Sequence, residues 1–142
     1  MEFKVSIDRH VESEIERLWG ITTSVTCPAK VPKPGDVIMC DMTHEGQSYV
    51  VRSETRSDNK SEISIKGSDS VLFPKALLES VAGVPISCSD RRYLRVELGK
   101  SGYCKIAGSP TYLRITLDSL EPAKWSRARV LAEDLPADAR MN

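Results

Sequence analysis

Arg92-Tyr93-Leu94-Arg95-Val96-Glu97-Leu98 is echoed further along the chain by Thr111-Tyr112-Leu113-Arg114-Ile115-Thr116-Leu117, and these two runs decide how the sequence is read. Apolar and polar residues alternate in both, as in a strand with one buried face. Between them Tyr103 to Ile106, bounded by Gly102 and Gly108, offers a shorter strand of the same kind. The region therefore reads as an antiparallel meander. One echo does not make a solenoid, which needs several units at a fixed period.

Upstream, Val37 to Thr43, Gln47 to Arg56 and Ser61 to Lys66 predict a second meander, turning at His44-Glu45-Gly46 and at Ser57-Asp58-Asn59-Lys60. The proline-rich run from Cys27 to Asp36 reads as an extended connector. Before it, Phe3, Val5 and Ile7 alternate with Lys4 and Ser6 and predict an N-terminal strand. Asp8 then caps a short helix carrying Val11, Ile15, Leu18 and Trp19, which Gly20 stops. Pro74 opens a further helix with Leu77, Leu78 and Val81 on one side and Gly83 at its end. Downstream, Pro122 introduces a predicted helix over Ala123 to Ala132, and residues 133–142 are expected to fray.

The expected fold is mostly-β α+β: two antiparallel meanders forming a sandwich-like or partly open barrel core, a short N-terminal helix and one or two covering helices. Residues 1–132 are expected to form a single domain, which suits a chain of 142 residues. Twenty basic residues balance twenty acidic ones, so the whole chain has no bulk attraction to nucleic acid or anionic membrane, and any such attraction is local. No apolar run approaches the roughly 18 residues of a membrane span, and the N-terminus lacks the pattern of a signal peptide. Cys27, Cys40, Cys88 and Cys104 stand far apart with no C-x-x-C pair and read as reduced thiols, which with the missing leader predicts a cytoplasmic protein.

Strand parity supplies the candidate site. With Leu94, Val96 and Leu98 inward, Arg91, Tyr93 and Arg95 face outward; with Cys104 and Ile106 inward, Tyr103 and Lys105 do; with Leu113, Ile115 and Leu117 inward, Tyr112, Arg114 and Thr116 do. Between positions 91 and 129 the cations Arg91, Arg92, Arg95, Lys100, Lys105, Arg114, Lys124, Arg127 and Arg129 oppose only Glu97, Asp118 and Glu121. Cations grip phosphates and phenol rings stack bases, so Arg91, Tyr93, Arg95, Lys105, Tyr112 and Arg114 form a candidate surface for an anionic ligand. The same pattern also describes a plain solvated sheet face.

Other constellations carry less. Cys40 and His44, near Asp36, Asp41 and Glu45, lack the second ligand pair of structural zinc. A small enzyme using Asp36, Asp41 and His44 has no nucleophile selected by context. Gly99-Lys100-Ser101 lacks the upstream glycine of a phosphate-binding loop, since Leu94 stands there. No cofactor or metal is expected.

Arg91-Arg92-Tyr93-Leu94-Arg95-Val96 resembles the R-x-x-x-R motif that opens PilZ domains, bacterial receptors for cyclic di-GMP, and Asp118-Ser119-Leu120 falls near their second motif, [D/N]-x-S-x-x-G. Two departures stand out: Ser119 directly follows Asp118, and Ala123 replaces the glycine. The resemblance implies a cyclic dinucleotide ligand with Arg91 and Arg95 as its guanine and phosphate contacts.

Two functions are expected on these grounds. The first is a non-enzymatic binding or adaptor protein working through protein–protein contact, with a partner or as a homo-oligomer, using Trp125, Tyr93 and Tyr112. The alternative is a binder of single-stranded nucleic acid or a nucleotide signal through the arginine and tyrosine face.

Overall fold

The computed structural model describes residues 2–28, 33–56, 61–88, 91–120 and 122–136. Part of the connector at 29–32, the expected turn at 57–60 and the end of the tail at 137–142 lie outside the described residues. The chain is mostly-β α+β, with antiparallel sheets, an N-terminal helix, one short helix and, among the described residues, no closed barrel. It divides into two compact units at Ser68/Asp69.

The first unit begins with α1 (Glu2–Trp19), followed by β1 (Val25–Thr26), β2 (Val37–His44), β3 (Gln47–Thr55) and β4 (Ser61–Gly67), paired in the order β1-β2-β3-β4. The N-terminal strand expected over residues 3–7 is instead the start of α1, and Asp8 lies inside that helix rather than capping it. Ile7 fits either pattern, but with Val11, Ile15 and Trp19 it completes a fully buried stripe at four-residue steps. Once nucleated, a helix gains one backbone hydrogen bond per added residue, which favours running it back to Glu2. Asp8 and Glu12, one turn apart, accept hydrogen bonds from the Cys27 and Val25 N–H groups at 3.2 and 2.9 Å, tying β1 to the helix. The β2–β3 hairpin turns at Glu45-Gly46, both at positive φ (51° and 78°), as a type I′ turn demands. Along β2, Ile38, Cys40 and Met42 are buried while Val37, Met39 and Asp41 are exposed, the two-residue period of a strand with one covered face.

The second unit holds β5 (Ser70–Pro74), α2 (Lys75–Ala82), β6 (Ile86–Ser87), β7 (Tyr93–Glu97), β8 (Ser101–Ile106), β9 (Thr111–Leu120) and β10 (Ala123–Leu131). β5 pairs with β7, and a four-stranded sheet runs β10-β9-β8-β6. Val71, Phe73 and Val96 from the first pairing meet Cys104, Ile106, Leu113, Ile115 and Leu117 from the sheet, with Leu78 of α2, in one core. The late meander is therefore β8-β9-β10, with β7 turned away to pair with β5.

The helix expected over 123–132 is a strand. β10 pairs with β9 from Ala123↔Leu120 to Leu131↔Thr111, and Phe73 packs edge-on to Trp125 with centroids 5.1 Å apart. A neighbouring strand supplying that hydrogen-bond ladder outweighs a weak helix propensity. Glu79 at the end of α2 accepts from the Ile86 N–H at 3.0 Å, and Arg129 donates to the Ala82 carbonyl at 3.1 Å, where the helix dipole favours a cation. Leu135 of the expected fraying tail is buried.

The reduced thiols expected from the sequence are two disulfides, Cys27–Cys40 and Cys88–Cys104, with Cα separations of 4.3 and 4.4 Å. Register explains both. Val25↔Met42 and Thr26↔Asp41 carry on to set Cys27 opposite Cys40, and Ile86↔Ile106 and Ser87↔Lys105 carry on to set Cys88 opposite Cys104. Cross-strand neighbours bring Cβ atoms within disulfide reach. Paired cysteines remove the support that reduced thiols gave to a cytoplasmic location.

Candidate ligand-binding cleft

The cleft begins at a tight turn. Glu97-Leu98-Gly99-Lys100 closes through Lys100 N–H to the Glu97 carbonyl at 3.0 Å, and Gly99 takes φ of 78°, the left-handed value a type II turn needs at its third residue. From this apex β7 and β8 diverge, because β7 pairs with β5 while β8 pairs with β9 and β6. At the floor Leu94 of β7 lies against Gly102 of β8; a Cβ at Gly102 would stand 3.0 Å from three Leu94 side-chain carbons. Cys88–Cys104 closes the far end, and Arg91 donates through its N–H to the Cys88 carbonyl at 3.3 Å.

The resulting cavity has a volume of about 830 Å³ and takes in Arg91, Tyr93, Arg95, Lys105 and Tyr112, five of the six residues of the candidate surface. Lys100 and Tyr103 join them. Arg114 does not line it: it sits on β9 opposite Tyr103, on the same sheet face just outside. Among the described residues the lining contains no aspartate, glutamate, asparagine or glutamine. Cations from β7, from the apex and from β8 thus converge on a space whose described lining carries no carboxylate, while Glu97 pairs with Arg95 and Lys100.

Three expected orientations need correction. Tyr93 was expected to face solvent and is buried at 6% exposure, while Leu98, expected inside, is 45% exposed. β7 keeps Leu94 and Val96 toward the core, but its opposite face is covered as well, as the burial of Leu72 beside Arg95 shows; at Leu98 the chain has already left the strand for the turn. Arg95 is half-buried, not open, and donates to Glu97 at 2.9 Å and to Asp69 at 3.5 Å. Arg91 donates to the Tyr93 hydroxyl and stands 5.3 Å from the ring centroid, a cation–π distance. On β8 and β9 parity holds: Tyr103, Lys105, Tyr112 and Arg114 are exposed or half-buried, while Cys104, Ile106, Leu113 and Ile115 are in the core.

Glu97 bridges Arg95 and Lys100, accepting from the Lys100 ammonium at 3.0 Å. The Arg95 hydrogen bond, with Lys100 second, holds its carboxyl below the ordinary value of 4.5. The other sequence candidates do not converge. Cys40 is disulfide-bonded and buried while Asp41 is on the opposite face of β2, so strand alternation separates them from each other. Asp118 and Ser119, the second part of the PilZ resemblance, are not in the cleft; Ser119 instead donates to the Pro122 carbonyl at 2.9 Å. No protein-family model, curated protein or solved structure matches this chain.

Proposed function

We propose that the second unit is a binding module for an anionic ligand bearing a stackable ring, held in the cleft between β7 and β8. The observation that carries this reading is the gathering of Arg91, Arg95, Lys100 and Lys105 with Tyr103 and Tyr112 around one cavity whose described lining contains no carboxylate. Cations in a concave, partly desolvated site focus their field on an entering anion. Phenol rings supply stacking area at little entropic cost. A volume of about 830 Å³ falls in the range of small-molecule and nucleotide sites. Of the side chains behind the protein-contact expectation, Tyr93 is buried, Trp125 packs on Phe73, and Tyr112 lines the cleft.

The test uses exposed cleft residues whose loss leaves the core intact. Lys100 and Lys105 are both exposed. A Lys100→Ala/Lys105→Ala protein is expected to keep its unfolding midpoint and to lose at least tenfold in affinity for fluorescent ATP and for labelled dT12, measured by anisotropy. A parent protein that binds neither probe, or a double variant that binds both as the parent does, overturns the reading.

A further inference from the structure

We infer that the ligand of this cleft is a single-stranded nucleic acid, bound with little regard to base sequence; the inference rests on the reading of the cleft as an anion site. A free nucleotide carries its phosphates at one end and calls for one cluster of cations. Here the cations are spread along the groove. Lys100 marks the apex, Lys105 lies five residues along β8, and Arg95 and Arg91 are four residues apart on the other wall. At a strand rise of about 3.3 Å per residue, Ser101 beside the apex and Lys105 stand roughly 13 Å apart along β8.

Phenols fall between the charges. Ser101, Tyr103 and Lys105 share one face of β8, and cross-strand pairing sets Arg114 beside Tyr103 and Tyr112 beside Lys105. Tyrosine and cation therefore alternate along each strand and also across the pair, a checkerboard matching a chain in which bases and phosphates alternate. The pattern does not stop at the cleft's mouth: Arg114 extends it over the sheet face, where β10 contributes only Ser126, Ala128 and Val130 opposite Thr116, Arg114 and Tyr112. A strand longer than the cavity has a cation waiting where it leaves. Base-edge recognition uses the fixed donor and acceptor pairs of Asn, Gln, Asp or Glu, or arginine aimed at guanine. The first four are absent from the described lining, and Arg91 and Arg95 are engaged with Tyr93 and Glu97.

The experiment measures anisotropy of labelled dT12 and rU12 with the full chain between 50 and 300 mM salt, with dTpT, ATP and a 12-base-pair duplex as competitors. Expected are binding of the 12-mers at least tenfold tighter than dTpT or ATP, weak competition by duplex, and a salt slope of about −2 to −3.5, as three to five released counterions give. Arg114→Ala should weaken the 12-mers three- to tenfold while leaving ATP and dTpT unchanged. The two 12-mers separate RNA from DNA as the source of the strand. If ATP or dTpT equals the 12-mers, if Arg114→Ala has no effect, or if duplex competes as well as single strands, the strand inference fails while the anion cleft stands. If no probe binds the parent, the cleft reading falls with it.

Discussion

Replacing both partners of the Cys88–Cys104 disulfide with alanine should destabilise the second unit by about 3 kcal/mol, the loop-closure entropy that a cross-link spanning 16 residues removes from the unfolded chain. Alanine is the proper choice because both positions are buried, at 5% and 1% exposure, and serine would leave hydroxyls in an apolar core. Against a total stability of about 5–15 kcal/mol for a domain, the loss is large, on the order of 10 °C in Tm. Urea unfolding followed by tyrosine and tryptophan fluorescence reads it directly: the midpoint falls, and the m-value rises because the unfolded chain is released from its loop. The consequence for the cleft is local, since the Cys88 carbonyl accepts from the Arg91 N–H; dT12 affinity should drop in this variant and hold in Cys27→Ala/Cys40→Ala, whose bridge belongs to the first unit. Alkylation of Cys88 and Cys104 in denatured, unreduced protein, or a loss under about 1 kcal/mol with an unchanged m-value, would refute the reasoning.

Glu97→Gln removes the carboxylate that competes with a ligand for Arg95 and Lys100, so anion affinity should rise severalfold, read by the same anisotropy titration. Because Glu97 has a depressed pKa in the folded protein, its ion pairs stabilise above its ordinary 4.5 and are lost as pH falls through the lower folded value; the glutamine variant should show a shallower loss of Tm in that acid window. Gly102→Val drives a side chain into Leu94, narrowing the floor of the cleft, and should cost about 1–3 kcal/mol in urea unfolding while weakening every ligand of the cavity; an unchanged midpoint would show that β7 moves away freely. In the first unit, Asp8→Ala and Glu12→Ala leave the Cys27 and Val25 N–H groups without their carboxylates and should each cost about 1.5–3 kcal/mol, visible as early hydrogen exchange at Cys27 and Val25.

Alternation on β8 and β9, the glycine turns at Gly46 and Gly99, and the outward set Tyr103, Lys105, Tyr112 and Arg114 were all legible in the sequence. Each follows from covalent geometry acting over a few neighbours: successive strand side chains point to opposite faces, and positive φ needs glycine or a rare exception such as Glu45. What the neighbours leave undecided was settled at long range. Ile7 suits a strand or a helix until Val11, Ile15 and Trp19 find a sheet to cover, and residues 123–131 suit a helix until β9 offers nine residues of ladder. Tyr93 is buried because the second face of β7 is covered, which its own alternation cannot reveal. The disulfides and the cleft belong to the same class: cysteines 13 and 16 residues apart meet only through strand register, and the cleft opens only because β7 chose β5 over β8. Strand identity is thus written locally, whereas partnership between strands is decided by which pairing buries more apolar surface and satisfies more backbone, a comparison that exists only in the folded chain.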